Sequence, residues 1–148
     1  MANQVFNISK GRFAHWATLP AASDALIVVP IETTGLEGDD TLNNHDNLSV
    51  LLAAANNEQT TLGRKTVSAS VTVTVDDTNN WVDVDMPDQV WTAGTGNAIS
   101  KLLICYDGDT GAGSDTDILP LTHHDFTITP DGSDITAQIA VAGFARAA

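Results

Sequence analysis

The chain has 148 residues, 6 basic and 19 acidic side chains, a net charge of -13, 43% apolar residues and only 5% aromatic ones. This length suits one domain whose core is built from aliphatic side chains without metal or disulfide staples. Residues 1–65 hold 4 basic and 7 acidic groups and residues 66–148 hold 2 and 12, so the halves carry -3 and -10. So few cations cannot neutralise phosphates, which argues against nucleic acid as a partner, and against docking on anionic lipid. No span approaches the roughly 20 apolar residues that cross a bilayer, and the N-terminus does not read as a signal peptide, so synthesis in a cytoplasm is expected.

In chain order, Arg12–Leu19 and Ala25–Ile31 read as strands, and one helix is expected over about residues 46–56. Asp46 is its plausible N-cap, with Leu48, Leu51, Leu52 and Ala55 on one face. Asn56 and Asn57 can end it. Val67–Val75 alternates β-branched residues with Ser and Thr, the pattern of a half-buried strand. Asp76–Asn80 supplies turn residues, and Trp81–Met86 alternates again, so the two runs read as a hairpin. Gln89–Ala93, Ile99–Asp107 and Asp117–Leu121 read as further strands. A second hairpin is expected between Asp125–Thr129 and Asp134–Val141 around Pro130-Asp131-Gly132-Ser133. Many short strands with one short helix give a mainly β, single-domain sandwich or barrel-like fold over 1–148. The small apolar tail 140–148 completes the sheet or forms an arm on an adjoining subunit.

Chemistry is sparse. Cys105, the single cysteine, lies in the apolar run Leu102–Tyr106 and reads as a small buried hydrophobe. Gly94-Thr95-Gly96 lacks the context of a nucleotide loop. Asp107, Asp109, Asp115 and Asp117 on a glycine-rich loop form a weak Ca²⁺ candidate, because the spacing departs from the helical calcium loop. His123 and His124 fall on opposite faces of a strand, which disfavours a shared metal. His15 and His45 are isolated. No catalytic residue is nominated, no cofactor is expected, and the chain is not expected to be an enzyme. Trp16, Trp81 and Trp91 concentrate contact area in an aromatic-poor chain and, with Phe144 and Arg146 of the tail, are the interface candidates.

The segments Ala2–Arg12, Asp76–Asn80 with Val82–Asp85, Trp91–Ala93, Leu102–Asp107, Pro120–Phe126, Asp131–Asp134 and Gly143–Arg146 resemble, in their order, a family of small virion structural proteins of tailed phages, particularly those infecting actinobacteria. The resemblance spans nearly the whole chain, and none of its motifs is a catalytic signature. It implies a capsid decoration protein on the exterior of the head, with the major capsid protein and its own copies as partners. A symmetric homo-oligomer, a trimer above all, would bind by repeated modest contacts. The alternatives are a tail-tube or head-to-tail junction subunit and, in a different class, a glycan-binding surface module.

Overall fold

Two strands form the centre because their side chains are apolar on both faces. In the computed structural model, which describes residues 3–147, these are β2 (Ala25–Glu32) and β7 (Ile99–Asp107), buried along almost their whole length. The other strands, in chain order, are β1 (Gln4–Val5), β3 (Lys65–Val67), β4 (Thr72–Asp76), β5 (Trp81–Asp85), β6 (Gln89–Trp91), β8 (Leu119–Ile128), β9 (Ile135–Ala137) and β10 (Ala145–Ala147). The helices are α1 (Phe13–Ala17), α2 (Asp39–Leu42) and α3 (Leu48–Ala53). An antiparallel five-stranded sheet runs β1-β8-β7-β2-β3, beside a three-stranded sheet β10-β5-β4 and a pair β6-β9. The sheets pack against one another without closing into a barrel, so the fold is mainly β.

The central sheet separates two cores. On one face Leu26, Val28, Leu102 and Ile104 meet Val84, Met86, Trp91 and Ile135 of the small sheets, with Phe13 and Ala17 of α1. On the other face Ile27, Val29, Leu103 and Cys105 meet Leu42 of α2 and Leu48 and Leu51 of α3. A strand covered on both faces has no polar phase, which explains the continuous apolar runs of β2 and β7. Pro30 is tolerated in β2 because it lies past the end of β3, where its carbonyl accepts the Gln59 amide at 2.9 Å. Pro120 sits at a register shift between β7 and β8, the kind of place where a sheet admits proline.

Several sequence expectations are corrected. Arg12–Leu19 contains a helix, not a strand: Phe13 and Ala17, four residues apart, are the pair that faces the core. The described residues form three short α-helices instead of one, and the expected one is limited to Leu48–Ala53. Its cap is Asn47, whose side chain accepts the Val50 amide at 2.9 Å, so Asp46 stands one position too early. Asn56 does finish the helix, donating to the Leu51 carbonyl at 3.1 Å. The run Val67–Val75 breaks into β3 and β4 around Ser70, which has φ +60°, and the two pieces join different sheets. The first hairpin forms, with Thr72–Asp76 pairing with Trp81–Asp85. The second does not: β9 pairs with β6, not with β8. The 130–134 turn binds the loop after β6 instead, through Gly132 N to Gly94 O at 2.8 Å and Ala93 N to Asp134 Oδ1 at 2.8 Å.

The tail forms β10, antiparallel to β5, with Ala145 opposite Val84 and Ala147 opposite Val82. Gly143 makes this docking possible. It has φ +82°, and a Cβ there would collide with the Val84 carbonyl oxygen.

Candidate functional site

The carboxylates of the acidic loop bind the loop itself. Asp107 Oδ1 accepts the Asp109 amide at 3.0 Å, Asp109 Oδ1 accepts the Gly111 amide at 3.1 Å, and Asp117 Oδ2 accepts the Ser114 amide at 2.9 Å. Asp115 is held by Arg64 through contacts of 2.6 and 2.8 Å. The hydrogen bonds from Arg64 hold the Asp115 carboxyl below its usual range, and Arg64 grips Glu58 in the same way at 2.9 and 2.6 Å. Asp107, Asp109 and Asp117 are thus engaged by amides of their own loop and Asp115 by Arg64. Among the described residues no group of three His, Cys, Asp or Glu side chains could hold a metal ion.

The tryptophans separate. Trp91 is buried in the first core with its indole N–H on the Gly63 carbonyl at 2.9 Å, so it is a packing residue and not a surface anchor. Trp16 is half-buried, stacked on Tyr106 with ring centroids 6.2 Å apart. Trp81 lies on the outward phase of β5, where the Arg146 guanidinium covers it at 3.7 Å while bonding Asp83 at 2.6 and 2.9 Å. Trp81 and Arg146 are thus brought together, across the β5–β10 pairing. Phe144 turns inward, edge-on to His124 at 6.2 Å. With His124, Met86, Leu102 and Ile104 it lines a cavity of about 210 Å³ between the central and small sheets.

The adjacent histidines do point to opposite faces. His124 faces that cavity, and its Nε2 is 2.8 Å from Thr122 Oγ1. His123 is fully buried on the other face, edge-on to Phe6. There Asn43 donates its amide N–H to Gln4, which leaves the Asn43 oxygen to accept from His123 Nε2 at 3.0 Å. His123 therefore carries its proton on Nε2, and Nδ1 is a buried lone pair with no hydrogen-bond partner among the described residues. Burial first, then the nearby Lys101 charge, pushes the pKa of His123 down to about 4. Burial and the neighbouring His123 and Lys101 push His124 down to about 4 as well. Cys105 is fully buried, and burial raises its thiol well above the ordinary value.

Beside His123 lies a cluster that sequence reasoning missed. Lys101, with no solvent exposure, donates to Asp125 Oδ1 at 2.6 Å and stands 3.0 Å from Asp39 Oδ1. The strand register places Lys101 directly opposite Asp125, and α2 brings Asp39 over them. A signal was present: Lys101 is a cation directly before the apolar run Leu102–Tyr106, in a strand buried on both faces. No such signal pointed to Asp39, which approaches only through the tertiary fold. His45 is not isolated, as it bonds Glu37 at 2.6 Å and holds that carboxyl below its usual range. No helix among the described residues is long and apolar enough to cross a membrane.

Comparison with known proteins finds no matching family model, no similar curated protein and no similar solved structure.

Proposed function

We propose that the chain is a bacteriophage virion structural protein, a capsid decoration protein that binds the head exterior as a symmetric homo-oligomer, and that it is not an enzyme. The resemblance in segment order motivates this reading. The observation that carries it is the placement of four of the six basic side chains, only Lys10 and Arg12 being left as exposed cations. Arg64, Lys101 and Arg146 are tied to carboxylates of the same chain, and Lys65 lies 5.5 Å from the Trp91 ring. What faces outward is therefore strongly acidic, a surface suited to a partner with a basic face, as the major capsid protein would present. The glycan alternative has less support, because Trp91 is buried and Trp81 is covered by Arg146.

Mixing the purified protein with undecorated shells tests the proposal. It should sediment with the shells at low salt and be released as salt screens the charges. Protein that stays in the supernatant at every salt concentration rules decoration out. Self-assembly into rings or tubes under negative stain supports the tail-tube subunit instead.

A further inference from the structure

Lys101 is the third residue of β7, on the face that also carries Leu103 and Cys105, and none of its surface reaches solvent. Its Nζ donates a 2.6 Å hydrogen bond to Asp125 Oδ1 and is 3.0 Å from Asp39 Oδ1. The side chains of Asp39 and Asp125 are 13% and 34% exposed, so Asp39 is the more enclosed of the two carboxylates. A fully buried lysine held against two carboxylates is an expensive way to hold a fold, since the buried ammonium gives up its hydration. The same three groups are the complete set for a condensation: an amine, a carboxyl group beside it, and a second carboxylate to move protons.

We propose that Lys101 and Asp39 join through an intramolecular isopeptide bond, with Asp125 as the proton carrier. Nζ of Lys101 attacks Cγ of Asp39, which is one bond from an oxygen already 3.0 Å away and so close to attacking range. The Nζ–Cγ bond forms and one Cγ–O bond of Asp39 breaks. Two protons leave Nζ, and Asp125, which accepts the short hydrogen bond, carries both to the departing oxygen, which leaves as water. One ammonium and one carboxylate become one amide and one water, Asp125 returns to its starting state, and no oxidant or cofactor takes part. The amide keeps an N–H to donate to Asp125, and a pair of buried charges disappears. The bond would fasten α2, too short to be stable alone, to the central strand. This role does not depend on decoration of a shell.

The purified whole chain, measured by intact mass under denaturing conditions and by peptide mapping, decides the matter. The native chain should be lighter than its sequence mass by one water, and digestion should yield a branched peptide joining the segment around Asp39 to that around Lys101. Lys101→Met should show its full sequence mass. Asp39→Asn should lose ammonia in place of water and reach the same final mass as the native chain. Asp125→Ala should keep Lys101 and Asp39 unlinked. A native chain at full sequence mass with unbranched peptides overturns the proposal, whether or not the variants fold. A branch from Lys101 to Asp125, or complete linkage in Asp125→Ala, overturns the assigned roles.

Discussion

The two faces of the five-stranded sheet draw on alternate residues of the same strands, yet they are closed in different ways. The first is covered by small sheets, and its polar pair, His124 and Thr122, is neutral, with His124 held at a pKa of about 4. The second is covered by α2 and α3 and sets a buried lysine against two aspartates, with a neutral histidine beside its aliphatic core. Hydrophobic burial alone accounts for the first face, because aliphatic contact is non-directional and the small sheets need only fit. The second joins the elements at specified atoms, since a buried ion is tolerated only where partners stand ready. One face is held by area and the other by geometry.

Removing the lysine should break this contrast most severely. Lys101→Met keeps apolar bulk but leaves two carboxylates without their cation, and is expected to cost about 3 kcal/mol in denaturant unfolding at neutral pH, the low end for a broken buried pair because Asp125 is partly exposed. Adding Asp39→Leu and Asp125→Leu should recover part of that loss, because breaking a buried ionic group is worse than replacing all of it. A cavity mutation on the first face, Leu102→Ala, should cost about 2–5 kcal/mol, and no second substitution of a charged residue should relieve it.

Acid should act through the two buried histidines. His123 has an ordinary value near 6.5 in the unfolded chain and about 4 in the fold. The unfolded state therefore binds the proton first, so this contribution is complete above pH about 6.5 and is lost as pH falls towards 4. For fully buried His123 the loss is on the order of 3 kcal/mol when complete. His124 acts with the same sign from the first face. Melting temperatures from pH 7 to pH 4 should fall, and His123→Gln should flatten the fall. An unchanged pH profile in that variant would mean that His123 is not kept neutral by the fold.

The first face was largely legible from the sequence and the second was not. Periodicity located β2, β7 and the β4–β5 hairpin, because alternation and continuous apolar runs report burial directly. It misassigned Arg12–Leu19, where a five-residue helix offers too few positions for a helical period to emerge. It also misjudged the partner of β9, since turn chemistry at Pro130–Ser133 marks a change of direction without saying which strand the chain joins afterwards. The acidic loop illustrates a different failure. Clustered aspartates on glycines look alike whether they await a cation or cap their own amides, and only the hydrogen bonds from Asp109, Gly111 and Ser114 distinguish the two. The triad was hidden because Asp39 and Lys101 lie far apart in sequence, joined by an approach of α2 that no local pattern encodes.

Gly143 offers the mildest test, one that loosens the first face alone. The chain turns there at φ +82° so that Phe144 N can donate to the Val84 carbonyl at 2.9 Å and β10 can lie along β5. Gly143→Ala adds the conformational penalty of a positive φ and places a Cβ against that same carbonyl oxygen. The expected cost is somewhat above about 1 kcal/mol, and its distribution is more informative than its size. Amide exchange should accelerate at Phe144 and along β10 and β5, while the amides of β7 and β2 keep their protection, because their bonds lie within the central sheet. The Arg146 cover over Trp81 should go with β10, leaving the indole more open to a soluble quencher. If exchange rises equally at Lys101 and Leu103, the two faces unfold as one unit, and the separation between area and geometry fails.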